Sequence, residues 1–398
     1  MRLPLFPLLI AIIVNLLVDT YIYKALTHRF RSRIPAQVHL WSAVALFILI
    51  VVALLMPRTS SESALLAVMW MIYIYISVYF AKYAFVIIDL AARIPQLLRR
   101  KRFRWLSAIA SVTGVGVLGV MLWASMINRF HIDVNEVEIG IDGLPDGFDG
   151  YRIAQISDLH VGTFGSDTSF VSTLADRVNA LDADMIVFTG DIVNSRSTEL
   201  IPHAATLSKL SAPDGVLSIL GNHDYGDYAS WPDKAAKQGN MDLMKSLQKD
   251  MGWRLLLNEC VMLHRGGDSI AVIGVENIGD PPFPVYGSLS DAYPQYSDSV
   301  VKILLTHNPA HWVDSIASRP DINIPLSLSG HTHAMQIEIF GWSPAKYRYP
   351  TWGGLYADDN GSHQLYVNIG TGTVGFPARV GATPEITLFT LKKAKNQH

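Results

Sequence analysis

The first 128 residues carry long apolar stretches separated by short basic clusters, whereas the remainder breaks into brief apolar runs divided by polar ones. The long stretches cover approximately Leu3 to Tyr23, Val38 to Met56, Ala64 to Leu90 and Trp105 to Ile127. A hydrocarbon core of about 30 Å is crossed by roughly 20 helical residues, so each stretch is near or above spanning length. Four transmembrane helices are therefore predicted for residues 1–128. A cleaved signal peptide is the rival for the first stretch, but only Arg2 precedes it, no small-residue cleavage site follows, and the chain leads straight into more spans.

After a short linker at 129–133 the period changes. "YRIAQIS" (151–157) reads as a strand, followed by a helical stretch through Asn179, then "DMIVFTG" (184–190), a second helical stretch at 199–210 and "GVLSILG" (215–221). Further apolar strands are predicted at 270–275, 300–306, 325–329, 364–369 and 385–391. Strands alternating with helices predict a layered α/β domain over residues 134–394, and the late hairpin-like segments predict a second, mixed sheet.

Charge sharpens this division. The chain has 398 residues and a formal net charge of −2. Residues 1–128 carry 13 Lys plus Arg against 3 Asp plus Glu, a net of +10, and residues 129–398 carry 19 against 31, a net of −12. Basic loops stay on the cytoplasmic side of a membrane. The loop after the first span holds Lys24, Arg29, Arg31 and Arg33, and the loop after the third holds Arg93, Arg99, Arg100, Lys101, Arg102 and Arg104, whereas the other flanks hold only Arg2, Arg58 and Arg129. Both termini are thus expected outside the cytoplasm. The expected location is a bacterial cytoplasmic (inner) membrane, crossed four times, with the α/β domain on the periplasmic or extracellular side.

Lys82 sits within the third span, with Asp89 on about the same helical face. Such residues are functional candidates by default, but Lys82 lies near the cytoplasmic end, where snorkelling is the simpler expectation. A transporter reading rests on these two residues alone. Cys260, the single cysteine, excludes an intramolecular disulfide and reads as a small buried hydrophobe in a strand.

In open α/β sheets ligands bind beyond the carboxyl ends of the strands. "ISDLH" places Asp158 and His160 there, "TGDIVN" places Asp191, "LGNHD" places Asn222, His223 and Asp224, "LLTHNP" places His307, and "LSGHTH" places His331 and His333. Five strand ends deliver metal-competent side chains to one edge. Gly190, Gly221 and Gly330 suit sharp turns beside such a site.

This pattern resembles the calcineurin-like metallophosphoesterase superfamily, with motifs spread over residues 158–333. The resemblance implies a four-layer α/β/β/α sandwich, here preceded by a bundle of four transmembrane helices. It implies two divalent metal ions, one held by Asp158, His160, Asp191 and His333, the other by Asp191, Asn222, His307 and His331, with Asp191 bridging. Mixed imidazole and oxygen ligands favour manganese, iron or zinc over magnesium. A bridging water would be the nucleophile at phosphorus. His223 is left to protonate the leaving oxygen or to bind the phosphoryl group, with Asp224 orienting its ring.

Asn194 is expected either beside the ligands or as a helix cap, and His264, His311 and His363 as surface or packing residues. Arg379 is a candidate phosphate contact, with a surface charge as its alternative. The loops at 277–298 and 340–359 are rich in Tyr, Trp and Pro, and the second adds Lys346 and Arg348. Aromatics with cations suit a lipid interface, a sugar or a base. The acidic balance excludes a nuclease that tracks long nucleic acid, and no nucleic-acid partner is expected. The expected activity is hydrolysis of a phosphomonoester, phosphodiester or pyrophosphate bond in a lipid head group or another phosphorylated small molecule such as an envelope precursor. The alternative is a membrane sensor or assembly factor that binds a phosphorylated ligand without turnover.

Overall fold

The computed structural model describes residues 5–57, 61–281, 284–293 and 300–394. Leu3 and Pro4 of the first predicted span, Arg58, and residues 282–283 and 294–298 of the 277–298 loop lie outside the described residues. The chain divides into two units, Met1–Ser125 and Met126–His398.

The first unit is helical: α1 (Leu5–Arg29), α2 (Ile34–Leu55), α3 (Glu62–Leu97) and α4 (Arg104–Met126). Pro35 suits the first turn of α2, where no intrahelical N–H is needed, and the Ser61 hydroxyl caps α3 by accepting from the Ala64 amide at 3.4 Å. At 1.5 Å per residue α3 is about 54 Å long, more than a bilayer core requires. Its last turns, with Arg93 and Pro95, extend past the apolar run. Many large apolar side chains of these helices, above all on α2 and α4, are exposed, as lipid-facing surfaces are.

Polar groups are buried among them, and here the snorkelling expectation fails. The Lys82 ammonium lies 2.7 Å from Asp19 Oδ1 on α1, with both side chains largely buried. Tyr79 donates to Asp19 Oδ2 (2.8 Å), and His39 Nε2 donates to the Asp19 carbonyl (3.1 Å). Asn15 bonds Tyr75 and Tyr83. Asp89 is not the partner of Lys82: it accepts from Tyr21 (2.5 Å) and from Arg93 (3.1 Å). Lys82 stays inside because a carboxylate on the neighbouring helix meets it there.

Among the described residues the second unit is built on twelve strands: β1 (Asp133–Ile141), β2 (Arg152–Ile156), β3 (Met185–Phe188), β4 (Val216–Ser218), β5 (Arg254–Leu255), β6 (Glu259–Arg265), β7 (Asp268–Gly274), β8 (Lys302–Leu305), β9 (Leu326–Ser329), β10 (Gly354–Ala357), β11 (Gln364–Val367) and β12 (Glu385–Lys393). They form two six-stranded sheets, ordered β1-β12-β2-β3-β4-β5 and β10-β11-β9-β8-β7-β6. β2 to β5 run parallel, as do β7, β8, β9 and β11, so their carboxyl ends emerge together within each sheet.

The sheets pack face to face through Ile153, Val187 and Leu217 of one and Val272, Ile303 and Leu328 of the other. On the outer face of the first sheet lie α5 (Ser169–Asn179), α6 (Ile201–Leu207) and α7 (Lys234–Asp250). On that of the second lie α8 (Leu289–Ala292) and α9 (Ala310–Ser315), with Trp312 and Ile316 packed against Ile273 and Leu304. This is the four-layer α/β/β/α arrangement. β12 departs from expectation: it inserts between β1 and β2 of the first sheet instead of joining the second. α7 is not evident from periodicity because its described buried positions are only Asn240, Met244 and Gln248. Cys260 is half-buried on β6 and packs on the core, as a small hydrophobe would.

Candidate metal centre

The carboxyl ends of β2, β3, β8 and β9, and the turn after β4, meet at one edge of the sandwich. Asp158, His160, Asp191, His331 and His333 all adopt left-handed backbone conformations, with φ of 51°, 46°, 59°, 78° and 50°. Such conformations are uncommon outside glycine and cluster at functional sites. Close approach explains two of the glycines. A Cβ on Gly330 would collide with the Ser157 and Asp158 side chains, and one on Gly221 with Asp191.

Two donor triplets result, Asp158/His160/His333 and Asp191/His307/His331, each with its ligand atoms within 4.8 Å of one another. In the first, His160 Nε2 is 3.0 Å from His333 Nε2, which is 3.1 Å from Asp158 Oδ1. In the second, His307 Nε2 lies 3.2 Å from Asp191 Oδ2 and 3.2 Å from Asn222 Oδ1, and His331 Nδ1 lies 3.3 Å from His307 Nε2. Asp191 Oδ2 is also 3.6 Å from His160 Nε2, so one carboxylate oxygen touches both triplets.

The surroundings set which ring nitrogen faces inward. His160 Nδ1 donates to the Val193 carbonyl (3.1 Å) and His307 Nδ1 to the Thr189 carbonyl (2.8 Å), leaving each Nε2 for the centre. His307 Nε2 then confronts two oxygen acceptors, a contact that only a proton or a cation can relieve. Electrostatics agree. Burial holds His160 and His333 below the usual imidazole range and takes His331 down to about 3. Burial opposes charge on Asp158 and Asp191 too, but the facing histidines keep both carboxyls below their ordinary value. His307 alone is held up, at about 9, because the Asp191 carboxylate outweighs its burial. Ionised carboxylates and neutral imidazoles are the forms that bind metal, and Asp158, Asp191, His160, His331 and His333 are held in them, while a cation would take the place of the proton that Asp191 draws onto His307. The donor set therefore fits divalent cations of the imidazole-and-oxygen type.

His223 is brought to the same edge but is only partly buried. Its Nδ1 donates to the Asn194 carbonyl (2.6 Å), its amide donates to Asp191 Oδ1 (2.8 Å), and Tyr228 stacks on its face at 4.1 Å between ring centroids. Asp224 corrects an expectation. Its carboxylate does not orient the His223 ring but accepts the backbone N–H groups of Gly221, Asp191, Ile192 and Val193 at 2.8–3.2 Å. Burial and the neighbouring Asp191 push its carboxyl up to about 7, against the amides of Gly221 and Val193. Asp224 thus fastens the turn carrying Asn222 and His223 to the turn carrying Asp191.

The Asn194 main chain takes the orienting role instead, held by Glu199, which accepts the N–H groups of Asn194 (2.6 Å), Ser195 (3.1 Å) and Arg196 (3.1 Å). Arg379 is a second correction. It is neither a surface charge nor a phosphate contact, being fully buried behind His333, with Nη2 3.2 Å from His333 Nδ1 and its other N–H groups donated to the carbonyls of Gly372, Ala382 and Ile369. Burial lowers its guanidinium to about 10. His264 is at the surface, and His311 and His363 are buried packing residues.

Two tyrosines escaped the sequence reading. Tyr228 hydroxyl accepts from Asn222 Nδ2 (2.8 Å), and Tyr349 hydroxyl is 2.8 Å from His331 Nε2. Neither sits in a strand-end motif; Tyr349 falls in the aromatic 340–359 loop, which the sequence marks as a whole and not residue by residue, and Tyr228 lies just after His223.

Comparison with known proteins agrees with the geometry. Residues 151–335 match the family model described as calcineurin-like phosphoesterase, and residues 1–129 match one described as "Probable Calcineurin-like phosphoesterase, transmembrane domain". The chain is 33% identical over 293 residues to the uncharacterized metallophosphoesterase YkuE of Bacillus subtilis, covering 72% of this chain and 93% of that one. It is 32% identical to the bovine (Bos taurus) transmembrane protein with metallophosphoesterase domain, over 66% of this chain and 57% of the bovine length. It is 26% identical to the UDP-2,3-diacylglucosamine pyrophosphatase LpxG of Chlamydia muridarum, over 60% of this chain and 80% of that protein. Four apolar helices followed by this α/β unit and its histidine–aspartate edge make the chain a membrane-anchored enzyme of the calcineurin-like metallophosphoesterase family.

Proposed function

We propose that the enzyme hydrolyses a phosphoester or pyrophosphate bond of a substrate at the membrane surface, using two divalent cations held by Asp158, His160, Asp191 and His333 and by Asp191, Asn222, His307 and His331. The observation that carries this reading is the position of Asp191 Oδ2, within 3.6 Å of a histidine from each triplet. A shared anion relieves repulsion between adjacent cations. Bound there, such a pair supplies electrophilic pull on phosphoryl oxygens and acidity for an attacking water. Imidazole-rich donors favour manganese, iron or zinc over magnesium.

The chain's own groups supply the rest. With Nδ1 committed to the Asn194 carbonyl, His223 has Nε2 available to donate a proton to the departing oxygen. Tyr228 fixes the plane of that ring by stacking. Asp224 keeps the two ligand-bearing turns in register, and Arg379 holds the His333 turn. The complete donor set supports turnover over ligand sensing.

The basic loops support placing the catalytic unit outside the cytoplasm, on the outer face of a bacterial inner membrane. Tethering favours phosphorylated lipids or envelope precursors, and the likeness to LpxG, named for a pyrophosphate-linked acylated sugar nucleotide, favours a lipid-linked pyrophosphate within that class. Full-length protein, stripped and reloaded with each metal, is to be assayed on mono- and bis-nitrophenyl phosphate and on a lipid-linked pyrophosphate. Turnover lost in Asp191→Ala and His223→Ala supports the reading. Hydrolysis unaffected by both substitutions would refute it.

A further inference from the structure

Ile339 and Trp342 exchange backbone hydrogen bonds (2.8 and 3.0 Å), closing a two-residue turn with Phe340 and Gly341 at its tip. Both tip residues have positive φ, 52° and 76°. Tight turns of this kind favour Asn-Gly or Gly-Gly, because a bulky side chain at positive φ is strained. Here the strained position holds a phenylalanine whose side chain is fully exposed. Neither the strain nor the exposure serves the core.

Phe340 does not stand alone. Ile339, Trp342, Tyr347 and Met335 are also exposed, Tyr347 at 78%. The Lys346 ammonium sits 5.7 Å from the Trp342 ring and 5.4 Å from the Tyr347 ring. Apolar tips flanked by Trp, Tyr and Lys are the composition of a membrane–water interface, where the rings occupy the headgroup level and the cation meets lipid phosphates.

The turn also hangs on the part of the catalytic unit nearest its point of attachment. The Glu338 amide donates to the Val380 carbonyl and the Val380 amide to the Gln336 carbonyl, both at 2.8 Å. Asn128 Nδ2 donates to the Arg379 carbonyl (2.8 Å), and Thr383 Oγ1 donates to Asn128 Oδ1 (3.3 Å). The apolar helix α4, which brings the chain to this unit, ends at Met126, just before Asn128. Segment 379–383 therefore joins the aromatic turn to residues at the boundary of a membrane span.

We propose that the 339–347 turn docks into the interfacial layer of the bilayer in which the chain is anchored, with Phe340 as the inserted tip and Lys346 on the lipid phosphates. This stands independently of the catalytic reading. It also gives the neighbouring site a reason to meet lipid head groups, since His331 and His333 lie only a few residues before the turn.

The test uses full-length protein reconstituted in vesicles of phosphatidylcholine and phosphatidylglycerol. Nitroxide labels are placed by Phe340→Cys, Tyr347→Cys and, as a water-facing control, Asn360→Cys, each on a Cys260→Ser background. Collision with oxygen, which concentrates in lipid, and with a water-soluble nickel chelate is read by electron paramagnetic resonance. The proposal expects the oxygen-to-nickel ratio at 340 to exceed that at 360 severalfold, with 347 between them. Equal ratios at 340 and 360 would overturn it. So would low collision with both reagents at 340 and 347, which would mean a second copy of the chain covers the turn. A thermal melt matching that of the Cys260→Ser parent shows that each labelled protein is folded, and a variant failing that check leaves the other labelled site to decide.

Discussion

Each unit buries a polar network, and the two are built on opposite principles. In the helical unit Asp19 meets a cation, a phenol and an imidazole: acceptors face donors, and the charges cancel inside the network. At the sheet edge His160 Nε2, with the ring proton already given to the Val193 carbonyl, faces Asp191 Oδ2, so acceptor faces acceptor. A closed network holds elements together. An open one requires something from outside, and five ligand candidates in left-handed conformations show that the backbone bears strain to keep it so.

The largest effect is expected where the open network is cut at its shared atom. Asp191→Ala should remove bound metal, measured by atomic emission on purified protein. It should lower turnover by more than about 100-fold, the upper range for losing only an outer-sphere partner. His223→Ala separates chemistry from binding: both metals should remain while turnover falls by about 10²–10⁴-fold, as for loss of a general acid.

The closed network should respond in stability and not in metal content. Lys82→Met leaves Asp19 buried without its cation, at a cost of about 3–5 kcal/mol in unfolding. The double variant Lys82→Met/Asp19→Leu should recover much of that, read from denaturation of the detergent-solubilised protein. If Lys82→Met changed metal stoichiometry instead, the contrast between the units would collapse. Smaller again, Arg379→Met should weaken metal affinity by about 10–100-fold by freeing the His333 ring, with Asp158 and His160 still in place.

The mildest test concerns pH. Burial takes His311 down to about 4, so between that value and its ordinary 6.5 the unfolded chain binds the extra proton. Its contribution to stability is present above pH 6.5 and is lost as pH falls towards 4, by about 3 kcal/mol. His311→Asn should flatten that part of the stability profile relative to wild type.

The metal-binding edge was legible in the sequence because each ligand follows a short apolar strand within a few residues, and parallel strands deliver their carboxyl ends to one side. The spans were legible because a helix crossing lipid must be apolar along its whole length. Partnerships set by docking were not. Lys82 finds Asp19 63 residues away, not Asp89 on its own helix. Asp224 turns to backbone amides instead of the adjacent His223, while Asn194, 29 residues upstream, supplies the carbonyl that orients it. Arg379 looked like a phosphate contact until the loop folded it beneath His333. β12 joined the first sheet between β1 and β2, a choice its own pattern left open because Glu385–Phe389 is buried on both faces. Periodicity and turn chemistry are local and act on a few consecutive residues, so sequence alone determined the spans, most strands and the ligand-bearing turns. Which buried polar group meets which was decided by tertiary packing, because every desolvated charge or N–H takes the complementary group that the docked elements bring within reach.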